Sequence, residues 1–241
     1  MNTLRSTTTN GLLEREFTLG DDLHGVLWSP SEDPAPLVLL GHGGGRDAKA
    51  APMAGRAKRL VDAGFHAVCI DAPAHGNRPR TAYDLQQEAA MKEAMATGVP
   101  VGPIVVPYNR HLANLAVPEW QATLDFLEGL PGIEGPIGYF GLNMGTAIGV
   151  PLAAREPRIS AAVFGIFWYD EQLATHAREI KIPVEYLLQW DDQHIPRESG
   201  LALFDAFAST EKTLHANSGA HKEVPRFEVD SMVRFFQRHL V

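Results

Sequence analysis

One cysteine occurs in the 241 residues, so Cys69 has no partner for an internal disulfide, a usage that fits a reducing compartment. It stands inside FHAVCIDAP, a predicted buried strand, where it reads as core packing rather than as a reactive thiol. Basic residues are in deficit: 21 Lys and Arg face 29 Asp and Glu, a net charge of −8 without any basic stripe. That balance argues against nucleic acid and anionic membrane as partners. The opening MNTLRSTTTNG lacks the apolar core of a signal peptide, and no apolar run reaches membrane-spanning length. No repeat, low-complexity tract or Gly/Ser linker divides the chain. The expectation is one domain, residues 1–241, located in the cytoplasm, with an oligomeric state that the sequence does not express.

What is present is a rhythm. LLEREFTL and LHGVLWSP flank a turn at Gly20-Asp21-Asp22 and predict an antiparallel hairpin. LVLLGHGGG then begins as a strand apolar on both faces, the pattern of a parallel sheet covered by helices. From there the predicted helices KAAPMAGRAKRLVDAG, PEWQATLDFLEGL (Pro118 in its first turn), GTAIGVPLAAREP, DEQLATHAREI, SGLALFDAFAS and FEVDSMVRFFQRHL alternate with strands. The fold class is therefore α/β: a mostly parallel sheet, eight strands in this reading, flanked by helices. Residues 78–117 break the rhythm and are too long for a connection. They contain the predicted helix YDLQQEAAMKEAMATG, with Leu85, Ala89, Met91 and Met95 on its apolar side, and are read as a small cap.

Four loops at predicted strand ends carry distinctive chemistry, and ligands in such sheets bind beyond the C-terminal strand ends. GHGGGRD, residues 41–47, offers bare backbone N–H groups that suit an oxyanion. GLNMG, residues 141–145, has the G-x-Nu-x-G spacing of a nucleophile elbow, with Asn143 where Ser, Cys or Asp is usual. Asn tolerates positive φ, but its amide is a poor nucleophile. WDDQHIP supplies Asp191 or Asp192, the spacing favouring Asp192, and NSGAHKEVP supplies His221. Nucleophile position, then acid, then histidine is the chain order Ser…Asp…His.

On GHGGG, GLNMG, WDDQHIP and GAHKEVP together, the chain resembles the α/β-hydrolase superfamily, and most of all small bacterial dienelactone-hydrolase-like serine esterases. The resemblance implies a carboxylic-ester hydrolase scaffold for small to medium acyl or aryl esters, working through an acyl-enzyme in intact relatives. It puts Asn143 at the nucleophile position, Asp192 as the acid and His221 as the general base. It implies an oxyanion hole from the amides of Met144 and Gly44, with Gly43 as an alternative donor. DAPAHGNR resembles the family's strand-end loop and brings His75 and Arg78 to the rim. His42, Met91, Met95, Tyr108 and Trp168 complete the expected substrate pocket, and neither metal nor cofactor is expected. Asn143 implies little or no turnover, and the alternative reading is a ligand-binding protein or a non-covalent acid/base catalyst using the same pocket.

Overall fold

The computed structural model describes residues 3–9 and 12–241. Among them nine strands form one sheet in the order β1-β2-β3-β5-β4-β6-β7-β8-β9. The strands are β1 (Thr3–Thr9), β2 (Leu12–Leu19), β3 (Leu23–Ser29), β4 (Ala35–Gly41), β5 (His66–Ile70), β6 (Ile133–Gly141), β7 (Ile159–Gly165), β8 (Val184–Gln189) and β9 (Lys212–Asn217). The helices are α1 (Ala51–Asp62), α2 (Ala82–Thr97), α3 (Gly102–Leu127), α4 (Met144–Arg155), α5 (Glu171–Ala177), α6 (Arg197–Ala206) and α7 (Phe227–Leu240). Strand β1 pairs antiparallel with β2, β2 with β3 and β3 with β5, while β5, β4, β6, β7, β8 and β9 run parallel.

Alternation along the parallel strands sorts the core into two layers. Leu37, Leu39, Tyr139 and Phe164 face the side covered by α3, α4 and α5. Val38, Leu40, Phe140 and Val163 face α1 and α7, where Met232 and Phe236 meet them. Each such side chain is buried, and full burial of a Leu or Phe contributes roughly 1.5–3 kcal/mol.

Two expectations need correction. The sheet has nine strands among the described residues, not eight: TLRSTTT forms β1, paired with β2 at the sheet edge. Its Thr residues favour a strand, but it has no apolar alternation to reveal one. Nor does a helix begin at Pro118, because α3 runs unbroken from Gly102 and holds both Pro107 and Pro118 inside. A continuous stripe of Tyr108, Leu112, Ala116, Trp120 and Leu124 is buried along it at four-residue spacing. Both prolines sit on the exposed side, as do Pro103 and Asn114, whose carbonyls lose their amide donors and can turn to water. Burial on one face therefore holds the helix together across its prolines.

The segment 78–117 contains α2 and the part of α3 that precedes Pro118. Thr81 and Asp84 make a reciprocal capping box at the start of α2, and Gly98 ends it in the left-handed conformation. The apolar side expected for this helix is not buried: Leu85, Ala89 and Met95 are exposed and only Met91 is half-covered. What α2 does bury is Asp84 and Ala94, and Tyr108 Oη of α3 donates to Asp84 Oδ1 at 3.1 Å.

Candidate active site

The chain runs from β4 through α1 to β5 on one side of β4, and later returns as β6 on its other side. Where the winding reverses, the loops after β4 and β6 part and leave a crevice at the strand ends. Those loops are GHGGGRD and the GLNMG elbow.

At the elbow Asn143 has φ 56° and ψ −120°, a conformation natural to glycine and costing a side-chain-bearing residue on the order of 1–3 kcal/mol. The flanking glycines are required by contact. A Cβ on Gly141 would lie 2.5 Å from the Gly145 carbonyl oxygen, and one on Gly145 would lie 2.5 Å from that of Gly41. The turn is tied down from several sides. Asn143 N–H donates to Gly165 O at 3.1 Å, and Tyr139 Oη donates to Gly145 O at 2.7 Å. Thr146 Oγ1 lies 2.8 Å from Gly141 O and 2.7 Å from Gly165 O, and accepts from Gly165 N–H at 2.8 Å. Met144 opens α4, where the first amides have no intrahelical acceptor.

After β8, the Asp192 side chain is 3% exposed. Its Oδ1 accepts from the backbone amides of His194 at 2.8 Å and Ile195 at 3.0 Å. Its Oδ2 accepts from His221 Nδ1 at 2.7 Å, an arrangement that leaves Nε2 as the acceptor of a neutral imidazole. Burial works against the Asp192 charge, but the His221 hydrogen bond and the two amides outweigh it and hold the carboxyl below its usual range. Asp191 is the exposed member of the pair; it accepts from Gly219 N–H at 3.3 Å and lies 4.0 Å from the Arg197 guanidinium. The histidine loop is laced to the loop after β8: Gln193 Oε1 accepts from His221 N–H at 3.1 Å, and Gln189 Nε2 donates to Ala220 O at 3.1 Å.

The loop after β4 depends on His42. Its Nδ1 donates to Gly43 O at 3.0 Å and its Nε2 accepts from Ala72 N–H at 3.0 Å, roles that need the neutral ring. Burial pushes its pKa down to about 4, so the ring is neutral at pH 7. Beside it His75 is also buried, donating from Nδ1 to Pro73 O at 2.8 Å. Space above Gly43 and Gly44 is open: a Cβ at either position would meet no atom within 4 Å.

Other expected pocket residues are committed elsewhere. Arg78 forms a two-pronged pair with Glu119 at 2.6 and 2.8 Å and donates to Asp71 O, so it has little left for a substrate carboxylate. Met95 is 57% exposed on α2, and Tyr108 is buried against Asp84. Trp168 is half-buried after β7 and abuts Gly102, where a Cβ would sit 2.9 Å from its Nε1; the α2–α3 junction therefore reaches this rim. A cavity of about 510 Å³ lies between Arg5, Glu16, His24, Asp47, Asp71 and Asn77 and is lined by none of the expected pocket residues. The site histidines do not converge as ligands: His42 pairs with His75 and His194 with His221, at ring separations of 5.4 and 5.3 Å. Among the described residues one group, Glu185, His215 and Glu228, brings metal-ligating side chains together. No sequence motif marks that group, and none marks Thr146, Gln189 or Gln193, so the sequence gives no warning of their roles.

This topology, with an elbow after β6 and a carboxylate–histidine pair after β8 and β9, is that of an α/β-hydrolase fold. The chain is 34% identical to a cold-adapted esterase from an Arctic intertidal metagenomic library, solved as a PEG-bound complex, over 98% of each chain with a TM-score of 0.79. To the zinc-bound form of such an esterase it is 32% identical over 99% of this chain and 100% of that one, with a TM-score of 0.74. The chain belongs to this esterase family. An acetyl xylan esterase from Paenibacillus sp. R4, 15% identical over 99% and 89% of the two chains with a TM-score of 0.68, shares the fold. No protein-family profile and no curated protein matches the chain.

Proposed function

We propose that this esterase scaffold is built for acyl-enzyme hydrolysis of small to medium acyl or aryl esters, and that Asn143 leaves it with little or no turnover. The observation that carries the reading is the His221–Asp192 contact at 2.7 Å on loops that follow the elbow in triad order. In an intact relative His221 Nε2 would take the proton of the attacking group while Asp192 holds the ring in the right tautomer. The amides of Met144 and Gly44, or Gly43, would hold the tetrahedral oxyanion. Asn143 has no readily removed proton to surrender. Loss of a triad nucleophile costs on the order of 10⁶ in turnover, while oxyanion hole and binding retain about 10³–10⁴ over water.

Residues 78–117 act as a cap in this reading, supported by the contact of Gly102 with Trp168. Within the family the resemblance of the four loop motifs supports a dienelactone-hydrolase-like subtype. The relative's zinc-bound form makes zinc the first cation to try on this chain, although no step above is routed through a metal.

A second reading follows from the strain itself. Asn143 keeps the costly φ of 56° without a nucleophile to justify it, so its amide, a donor and an acceptor together, would serve a bound carbonyl in non-hydrolytic binding or proton transfer. Hydrolysis of p-nitrophenyl acetate and butyrate by this chain and by Asn143→Ser separates the two. A gain of about 10³ or more from the serine, abolished by adding His221→Ala, supports the disabled esterase. A folded serine variant without that gain sinks the triad roles and favours the second reading.

A further inference from the structure

Away from the elbow, three side chains from three elements meet, two of them on the elements that flank the histidine loop. Glu185 on β8 and His215 on β9 project from the same face of the sheet, and Glu228 reaches them from the first turn of α7. One ligand atom from each lies within 4.8 Å of the others. The His215 ring stands between the carboxylates, with Nδ1 at 2.9 Å from Glu228 Oε2 and Nε2 at 3.7 Å from Glu185 Oε2.

The balance of partners is lopsided. Glu228 is supported, since Asn217 Nδ2 donates to its Oε1 at 2.7 Å. The Glu185 side chain is only 5% exposed, turns Oε2 toward the imidazole, and has a fully buried Oε1 that accepts no hydrogen bond from the described residues. Ser231 Oγ stands 3.5 Å from Glu185 Oε2, at the limit of a hydrogen bond. A buried carboxylate with an unmet oxygen is costly unless a charge or a proton compensates it. His215 is 26% exposed at the sheet edge and leaves a way in.

We propose that Glu185, His215 and Glu228 form a divalent-cation site, of the zinc class by its two carboxylates and one imidazole. Zinc bonds of about 2.0–2.1 Å set ligand atoms roughly 3.3 Å apart in a tetrahedron, so a modest closing of the three side chains suffices. The ion replaces the present His215–Glu228 hydrogen bond, meets the orphaned oxygen of Glu185, and takes water as a further ligand. Asn217 remains behind Glu228 as the outer hydrogen bond that orients a ligand.

The placement gives the ion a structural consequence. Asn217 ends β9 and Glu228 opens α7, and the stretch between them, residues 218–227, carries His221. A cation here clamps both ends of the histidine loop without entering the catalytic site. The proposal is independent of the esterase roles assigned above, because it concerns how that loop is anchored.

The test is zinc titration of the tag-free, metal-stripped chain, followed by calorimetry, metal counting and thermal melting. One zinc per chain is expected, with Tm raised by roughly 5–10 °C at about a hundred times Kd. Binding should vanish in Glu185→Gln and in His215→Gln, weaken about tenfold or more in Asn217→Ala, and survive in His221→Ala. Hydrogen exchange over residues 218–227 should slow when zinc is added to the unmutated chain, a readout that does not depend on any variant folding. Zinc that is lost in His221→Ala but retained in Glu185→Gln would put the ion on the catalytic histidine and overturn the proposal. So would absence of zinc binding, which would leave a proton shared among the three side chains as the compensation.

Discussion

The elbow rim and helix α2 are both short, sharply bounded pieces of chain, but they are held by different means. Around the elbow, backbone atoms press so closely that Gly141 and Gly145 cannot carry a Cβ, and Tyr139, Thr146 and Gly165 hold the surrounding carbonyls and amides. Helix α2 holds its own ends with a capping box and a left-handed glycine, and exposes Tyr83, Leu85 and Met95 to solvent. Strain follows the same division. Ala74, Asn143 and Ile166 are the described non-glycine residues with positive φ, and they follow β5, β6 and β7 at the same end of the sheet. Strained backbone persists only where the surroundings over-determine it, so the rim can hold a strained geometry that a locally stabilised helix could not.

The comparison can be sharpened in order of expected effect. Asn143→Ser should change ester turnover most, by about 10³ and toward 10⁶, measured as kcat on p-nitrophenyl acetate. Gly145→Ala drives a methyl into the Gly41 carbonyl, contact with backbone that cannot swing away, and should cost about 3 kcal/mol in urea unfolding. An unchanged midpoint would mean that the elbow is looser than its contacts indicate.

Acid should weaken the rim by a similar amount. His42 titrates at about 4 in the folded chain and near its ordinary value when unfolded, so the unfolded state takes up a proton first as pH falls. Its contribution is complete above about pH 6.5 and is lost progressively toward pH 4, a change of about 3 kcal/mol. Replacing the ring with His42→Gln should flatten that part of the stability–pH curve, whatever it does to absolute stability. Asn143→Gly relaxes the positive φ and should stabilise the chain by about 1 kcal/mol, the relief of strain less the added freedom of glycine when unfolded. At the other pole, Thr81→Ala removes the α2 cap for a loss of about 1 kcal/mol or less. It should leave the esterase gain of Asn143→Ser unchanged if the rim is held independently of α2.

Much of the site was legible because its constraints are local along the chain. Two glycines around one residue after an apolar run register a steric rule that operates over five positions. The order of the three strand-end loops then reports their convergence, because parallel strands deliver their C-terminal ends to one edge. The choice between Asp191 and Asp192 fell to geometry: Asp192 is the one buried under the amides of His194 and Ile195. Arg78 and Tyr108 looked like pocket residues because their chemistry suits one, but Glu119 and Asp84, both distant in sequence, engage them first. Strand β1 was hidden by its polar side chains, and the reach of α3 by prolines that stand on its solvent side.

The sequence by itself determined the α/β class, the parallel core and the G-x-Nu-x-G turn with Asn143 at its centre, since these rest on periodicity and spacing between near neighbours. Only the tertiary structure decided which side chains were free to act and which were already paired. It also brought Glu185, His215 and Glu228 together from two strands and a helix. Such pairings depend on sheet register and helix docking, and those arise from burial summed over the whole chain rather than from any short stretch of it.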